Sequence, residues 1–411
     1  MKSKKLFAAV AAISLLLGTA SFSACAPKTP DGEVTVTTDY VITYEAGNAY
    51  AKETAAALQA GLKTAWELDL PVQGDETTDE SDFPKEILVG MTNRIDALEL
   101  TEELEDEDWL VAEADGRILI AGKNGVALGA ALTHFEDTYL KNQARPAIRR
   151  QTKDTGSVAL FKRTTDVTKL QRGLNYTVSL EEATTFRSAD NLYGIMQGAT
   201  YAKGKIYAAA TYKKTDGSEL TRILAVNTDG TVEKESEPLA LDHANAITYV
   251  KKWDKLLISH CQSNDGHYNR YSLVDPETLQ ITESHDLEKP FFAMAYDEET
   301  DRFFSGEWGG GTLDVWDGDL TLSLSKEVEE PKSLSQSLYA SANGACFVRS
   351  SQNNAPAEIR IYDWECNLTM TVIVPTSAEP EAIFLIDGVT YIICNDFAGA
   401  QALVFRLSFE A

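Results

Sequence analysis

A unit of about 45 residues recurs five times between Gln197 and Ser408, and few folds tolerate such a repeat. Each unit opens on a short apolar run: Gln197-Gly-Ala-Thr-Tyr201, Asn245-Ala-Ile-Thr-Tyr249, Phe292-Ala-Met-Ala-Tyr296, Ser335-Gln-Ser-Leu-Tyr339 and Glu381-Ala-Ile-Phe-Leu385. Second runs begin at Lys205, Lys255, Arg302, Gly344 and Val389, and four third runs close on Asn227, Asp275, Asp317 and Asp363. An Asx side chain there can bond its own backbone and close a tight turn into a fourth strand. Four short strands cannot bury both faces alone, so the units must stack, and the spacing suits the blades of a β-propeller. Five blades account for the length. The fifth ends on its third run, Gln401–Ser408, and the spare strand Leu174–Leu180 can supply the missing outer one and remove an exposed edge. Six blades stay open as an alternative if residues 157–190 form most of an extra one.

The amino terminus stands apart from this pattern. Lys2, Lys4 and Lys5 precede an apolar run, Leu6–Leu17, too short to span a bilayer comfortably, and Phe22-Ser-Ala-Cys25 follows. The order of basic, apolar and small-residue regions before a cysteine resembles a bacterial lipoprotein signal. The resemblance implies cleavage after residue 24, acylation of Cys25, and tethering to a membrane on the extracytoplasmic side of a bacterial cell envelope. Residues 25–33 then read as a polar spacer.

Residues 34–141 switch period. Val34–Tyr44 alternates like a strand, and Ala51–Leu68 places Ala55, Leu58, Leu62, Ala65 and Trp66 at helical spacing. Glu86-Ile-Leu-Val-Gly90 reads as a strand, Asp115-Gly116 between apolar runs as a hairpin, and Gly125–Leu140 as a helix. The expected class is therefore α+β and multidomain: a small α/β domain, then an all-β propeller at residues 173–411. The run Glu86–Gly90 with Thr92-Asn-Arg94, then Asp115–Gly122 and Gly125 opening a helix, resembles the non-catalytic N-terminal domain of glycoside hydrolase families 20 and 67. That resemblance carries no catalytic residue. Residues 142–172 gather Arg145, Arg149, Arg150, Lys153, Lys162, Arg163, Lys169 and Arg172 and read as a basic linker.

The formal charge of −26 opposes binding to nucleic acid and to bare anionic lipid. Removing residues 1–24 takes away three lysines and no acid, so the mature chain is more acidic still. Cys261, Cys346, Cys366 and Cys394 show no metal-ligand spacing, and we expect mostly buried free thiols. No phosphate-loop, zinc or nucleophile motif is present, and no cofactor or metal is expected from the sequence.

Inner strands begin, and second strands end, at the same end of a blade. Residues there converge on the channel mouth. Gln197, His243, Asn245, His260, Trp308, Gln336, Arg349 and Asn395 are the candidate ligand-binding residues, with Tyr212 beside them. Amides bond hydroxyl groups and Trp308 can stack on a sugar face. Glu307, Glu381 and Asp396 are the carboxylates available for a hydrolase; His243 or His260 could shuttle a proton in a lyase. A histidine that closes a blade turn by hydrogen bonds is the plainer reading of both. The repeat resembles propellers of bacterial secreted proteins. The expected function is binding or scaffolding at the envelope, of glycan, another surface polymer or a surface protein; a polysaccharide hydrolase or lyase is the alternative.

Overall fold

The computed structural model describes residues 32–76, 85–141, 146–215, 217–260, 268–329, 331–352 and 354–411. The signal segment, Cys25, Cys261 and most of the acidic loop after Asp75 lie outside the described residues. The chain is mostly β and divides into two compact units.

The first unit contains β1 (Glu33–Thr35), β2 (Val41–Tyr44), α1 (Ala49–Trp66), β3 (Val72–Gly74), β4 (Glu86–Val89), α2 (Ile95–Thr101), β5 (Asp108–Ala114), β6 (Arg117–Gly122), α3 (Gly125–Phe135), β7 (Ala147–Arg149) and β8 (Lys153–Ser157). Six of these strands form one mixed sheet in the order β3-β2-β4-β6-β5-β8. Helix α1 starts because Asn48 Oδ1 accepts from the N–H groups of Tyr50 and Ala51, at 3.1 and 3.2 Å. It stops at Glu67, whose φ of 57° is left-handed. Between those ends Ala51, Ala55, Leu58 and Leu62 form the buried stripe. Alternate residues of the central strands face opposite layers. Ile87, Ile118 and Ile120 pack with α1 and α3, while Leu88, Leu119 and Ala121 pack with Ala97 of α2. Asp115 and Gly116, both at positive φ, make the β5–β6 hairpin turn that the dipeptide predicts.

One charged group lies inside this sheet. Glu86 is fully buried; it accepts from Thr43 Oγ1 at 2.9 Å and from Arg94 Nη2 at 3.0 Å, and Arg117 Nε stands 3.2 Å away.

The second unit contains β9 (Arg163–Thr164), β10 (Thr177–Phe186) and five sheets arranged as blades. Blade 1 is β11 (Ile195–Ala202), β12 (Lys205–Lys213), β13 (Glu219–Val226) and β14 (Val232–Glu235). Blade 2 is β15 (Ala246–Val250), β16 (Lys255–Ser259), β17 (Arg270–Val274) and β18 (Ile281–Asp286). Blade 3 is β19 (Ala293–Asp297), β20 (Arg302–Gly306), β21 (Thr312–Asp317) and β22 (Leu322–Glu327). Blade 4 is β23 (Leu334–Ser341), β24 (Gly344–Ser350), β25 (Glu358–Tyr362) and β26 (Leu368–Ile373). Blade 5 is β27 (Glu379–Ile386), β28 (Val389–Asp396) and β29 (Gln401–Glu410), completed by β10.

The inner strands β11, β15, β19, β23 and β27 contact one another in a closed ring. The clasp expected from Leu174–Leu180 runs further, from Thr177 to Phe186 along the whole of β29, and β9 also pairs with β29. Within residues 157–190, β9 and β10 therefore join the fifth blade, and no sixth one forms. The Asx turns take two forms. Asp275 and Asp363 accept backbone N–H groups through their own side chains. In blades 1 and 3 that part passes two residues on, to Asp229 and Asp319.

The basic stretch read as a linker contributes to both units: β7, β8 and Gln171–Leu174 belong to the first, Phe161–Leu170 to the second. Several of its cations are paired, Arg172 with Glu53 in the first unit, Lys169 with Asp166 and Arg163 with Glu410 in the second. Cys346, Cys366 and Cys394 are free and buried, and burial pushes each thiol up to about 12. Among the described residues no helix is long and apolar enough to cross a membrane.

Candidate functional site

Strand register identifies which residues share a level in the channel. Ile206, Leu256, Phe303 and Ala345 are the second-strand residues opposite Val226, Val274, Trp316 and Tyr362, each just before the Asx turn. Across the inner hairpin they face Tyr201, Tyr249, Tyr296 and Ala340. Ala340 is thus the equivalent in blade 4, where sequence spacing aligns Tyr339. Four residues back in the chain from these, and from Leu385 in blade 5, stand Gln197, Asn245, Phe292, Gln336 and Glu381, although by register Met196, Ser335 and Pro380 share the rung of Asn245 and Phe292. Each is less than a tenth exposed. In three blades a bulge falls at this level: between Met196 and Ala199, Ser335 and Leu338, and Pro380 and Ala382. A bulge frees one residue from the ladder and re-aims its side chain.

The ring is internally bonded. Asn245 Nδ2 donates to the backbone oxygen of Gln336 at 2.6 Å, which joins blades 2 and 4 across the axis. Gln336 Nε2 donates to Ser350 Oγ at 3.2 Å and to Glu379 Oε1 at 3.1 Å. Asn395 accepts from Met196 N at 2.7 Å, and its Nδ2 donates to Met196 O at 2.9 Å and to Glu381 Oε1 at 2.6 Å. Glu381 has no cation partner in this set. Burial, and then the negative charge of Glu379, hold its carboxyl well above the usual carboxylate range. Glu379 was missed in the sequence, yet Glu379-Pro380-Glu381 at the start of a strand was a readable signal, since period two sets both acids toward one face.

The remaining candidates scatter. His260 is buried in blade 2: its Nδ1 bonds Asp242 Oδ2 at 2.9 Å, and its Nε2 accepts from Ser272 at 2.7 Å. His243 bonds Glu219 Oε2 at 2.7 Å. Both are turn-closing histidines. Arg349 is buried and donates to Ser333 Oγ at 2.9 Å, Ser335 Oγ at 2.6 Å and Gly309 O at 3.1 Å, so its fork ties the blade 3 and blade 4 loops together. Asp396 accepts from Gly399 N and Gln401 Nε2, at 3.0 and 2.9 Å, and holds its own turn. Those bonds lower its pKa. Glu307 lies in the β20–β21 turn. Among the described residues no hydrogen bond or ion pair joins Glu307, Glu381 and Asp396. Tyr212 packs on Tyr193 at 5.7 Å between ring centroids.

Large apolar side chains are exposed at the mouth end of the blades. Leu192, Tyr268, Trp308 and Phe397 are each more than half exposed. Leu192 precedes an inner strand; the other three sit between second and third strands. All four therefore emerge at the mouth end of the blades. Trp308 stands edge-on to Phe292 of the ring, centroids 4.8 Å apart at 86°. Trp308 is a predicted candidate, whereas Tyr268 and Phe397 carry no sequence pattern that separates them from core aromatics.

In the first unit, the strand ends where an open α/β sheet would hold a ligand are filled from within. Glu45 Oε2 accepts from Met91 N at 3.1 Å; Asp75 accepts from Ala46 N at 2.9 Å and Asn93 N at 2.8 Å. Backbone donors that could bind an anion are already occupied.

No family model matches the chain, and no curated protein matches it. The likeness to glycoside hydrolase N-terminal domains and to lipoproteins gains no support there. Several solved structures are similar to part of the chain. The tail fiber of Staphylococcus aureus phage P68 matches with a TM-score of 0.41 and 13% identity over 57% of this chain, and the match spans about half, 53%, of that chain. Myxococcus xanthus glutaminyl cyclase matches with a TM-score of 0.42 and 10% identity over 58% of this chain and 99% of that one. A luciferin-regenerating enzyme matches with a TM-score of 0.36 and 11% identity, over 56% and 95%.

Proposed function

We propose that this chain is an envelope-tethered binding module whose propeller mouth takes a glycan or similar surface polymer. The observation that carries the reading is the exposure of Leu192, Tyr268, Trp308 and Phe397 at the mouth end of four blades. Among the described residues of the propeller, every large apolar side chain more than half exposed is one of these four. Exposed aromatic platforms at the end of a rigid scaffold suit the apolar faces of sugar rings. The ring below is closed by Asn245 and Gln336, so a ligand rests on the mouth rather than threading the channel. The charge of −26 favours a neutral or amino-bearing polymer over a polyanion. The lysine-rich start, the apolar run and Cys25 support a lipid anchor. The first unit, read as a small α/β domain, acts as a spacer, its strand ends being occupied by Glu45 and Asp75.

A glycan array probed with the full chain, followed by product analysis on each hit, tests the reading. Binding without turnover is expected. Release of reducing sugar would move the protein to the hydrolase reading, and no binding to any glycan would remove the carbohydrate element.

A further inference from the structure

At the end of the blades opposite the mouth, three successive seams are bridged by a cation from the earlier blade. Lys203 Nζ, in the β11–β12 turn, lies 2.9 Å from Asp254 Oδ1 and 3.4 Å from Glu277 Oε1 of blade 2, and Tyr249 donates to the same Asp254 oxygen at 2.7 Å. Lys252 of blade 2 pairs with Asp301 of blade 3, which also accepts from Tyr296 at 2.8 Å; the lysine ammonium stands 5.4 Å from the centre of the Tyr296 ring. Arg302 of blade 3 lies 4.1 Å from the centre of the Trp364 ring in blade 4. The seam between blades 5 and 1 repeats this framework with the charge reversed. Asp387-Gly388 makes the same turn as Lys203-Gly204: φ is 49° and 75° in one, 51° and 80° in the other, between the paired residues Ile386–Val389 and Ala202–Lys205. An acid therefore stands where blade 1 carries its lysine. Tyr201 holds the register position of Tyr249, and Tyr391 is the third residue of β28 as Tyr207 is of β12. With Thr184 of the clasp, Thr228 and Ile386, these residues line a cavity of about 290 Å³. No lysine or arginine is among its lining residues, and Asp387 has no ion-pair partner among the described residues. The Tyr391 wall is fixed in place by stacking on Phe384, ring centroids 6.0 Å apart at 8°.

We propose that this seam binds the ammonium group of a small primary amine, alkyl or sugar-borne, in the role that a lysine of the chain plays between blades 1 and 2 and between blades 2 and 3. Asp387 supplies the counter-charge, the tyrosine rings offer the electron-rich faces that attract a cation, and threonine hydroxyls accept its N–H groups. Ile206 and Ile386 give the body of the ligand an apolar floor. The site lies at the opposite end of the blades from Trp308 and is independent of the glycan reading of the mouth.

Saturation-transfer NMR on the full chain tests it, with n-butylammonium and glucosamine as probes and 1-butanol and glucose as their neutral controls. Saturable binding of at least one amine, about tenfold tighter than its control, is expected, and the tighter of the two amines assigns the body of the ligand. Asp387→Asn weakens that binding about fivefold. Asp387→Lys gives this seam the lysine of the other two and abolishes it. Trp308→Ala leaves it unchanged, which separates this site from the mouth. Amines that bind no better than their controls overturn the proposal, and so does binding that survives Asp387→Asn undiminished or is lost in Trp308→Ala. Asp387 is an exposed turn residue, so its amide variant keeps the fold; if Asp387→Lys fails to fold, Asp387→Asn decides alone by the same criterion.

Discussion

Glu86 in the first unit and Glu381 in the propeller are both closed off from solvent, and the fold treats them in opposite ways. Glu86 stands against the guanidinium groups of Arg94 and Arg117 with Thr43 as a further donor. Glu381 has one amide, a second carboxyl nearby and an oxygen with no donor. The first arrangement is complete within the chain, and a buried ion pair so matched is a structural fixture. The second is incomplete within the chain. An acid placed where its charge is opposed by burial and by a like neighbour is a feature expected at functional sites. The difference separates a buried acid matched by two arginines from one that meets no cation.

The sharpest way to break this comparison is to neutralise Glu86. Glu86→Gln leaves the buried guanidinium of Arg94 and the partly buried one of Arg117 without their counter-charge, and a loss of about 3–5 kcal/mol is expected in denaturant unfolding of the full chain. A loss below about 1 kcal/mol would mean that solvent reaches the cluster. Next comes the rigidity of the ring. A Cβ at Gly198 would lie 2.6 Å from Ala246 Cα, backbone to backbone between blades 1 and 2. Gly198→Ala should therefore cost about 1–3 kcal/mol by the same measurement.

Glu381→Gln replaces the carboxyl by an uncharged amide of the same shape where burial already disfavours the charge, so a change below about 1 kcal/mol is expected. The informative reading is pH dependence. Folding raises the pKa of Glu381, so the folded chain binds its proton more tightly than the unfolded one. The stability it contributes is full below the ordinary value of 4.5 and is lost as pH rises through the raised value. Melting temperature followed from pH 4 upward should fall for the wild type across that window. Glu381→Gln should flatten the fall. An identical profile in both would place the proton elsewhere. Trp308→Ala is expected to shift stability least, by under about 0.5 kcal/mol, since its ring is exposed, while weakening polymer binding by about tenfold. Unchanged binding would move the ligand away from the mouth.

Much of the scaffold was legible before any coordinates. Asp115-Gly116 marks its hairpin because a two-residue turn needs positive φ at both positions, and local chemistry alone decides that. Helix α1 announces itself by apolar residues three and four apart, while its cap, Asn48, was seen only in the structure. The propeller follows from repetition, and the clasp from counting: the fifth unit lacks an outer strand and one strand before the first unit is spare. These are properties of short windows or of their spacing.

The composition of the site was decided elsewhere. Bulges in β11, β23 and β27 move one residue out of the ladder, so spacing in the sequence aligns Gln197 with Asn245 where register puts Met196. His260 and Arg349 look like ligands in a string of letters. Only the fold brings Asp242, Ser272, Ser333 and Gly309 against them and turns them inward. Glu86 and Glu381 are the same residue type on strands of similar apolar character. Which of them meets two arginines and which meets none depends on strands far apart in the chain. The sequence by itself determined where the chain turns, which faces are apolar and that blades stack, because those follow from local period and turn chemistry; pairing of β10 with β29 decided that there are five. Tertiary structure decided which polar groups are satisfied, because a hydrogen bond across the axis belongs to no single stretch of sequence.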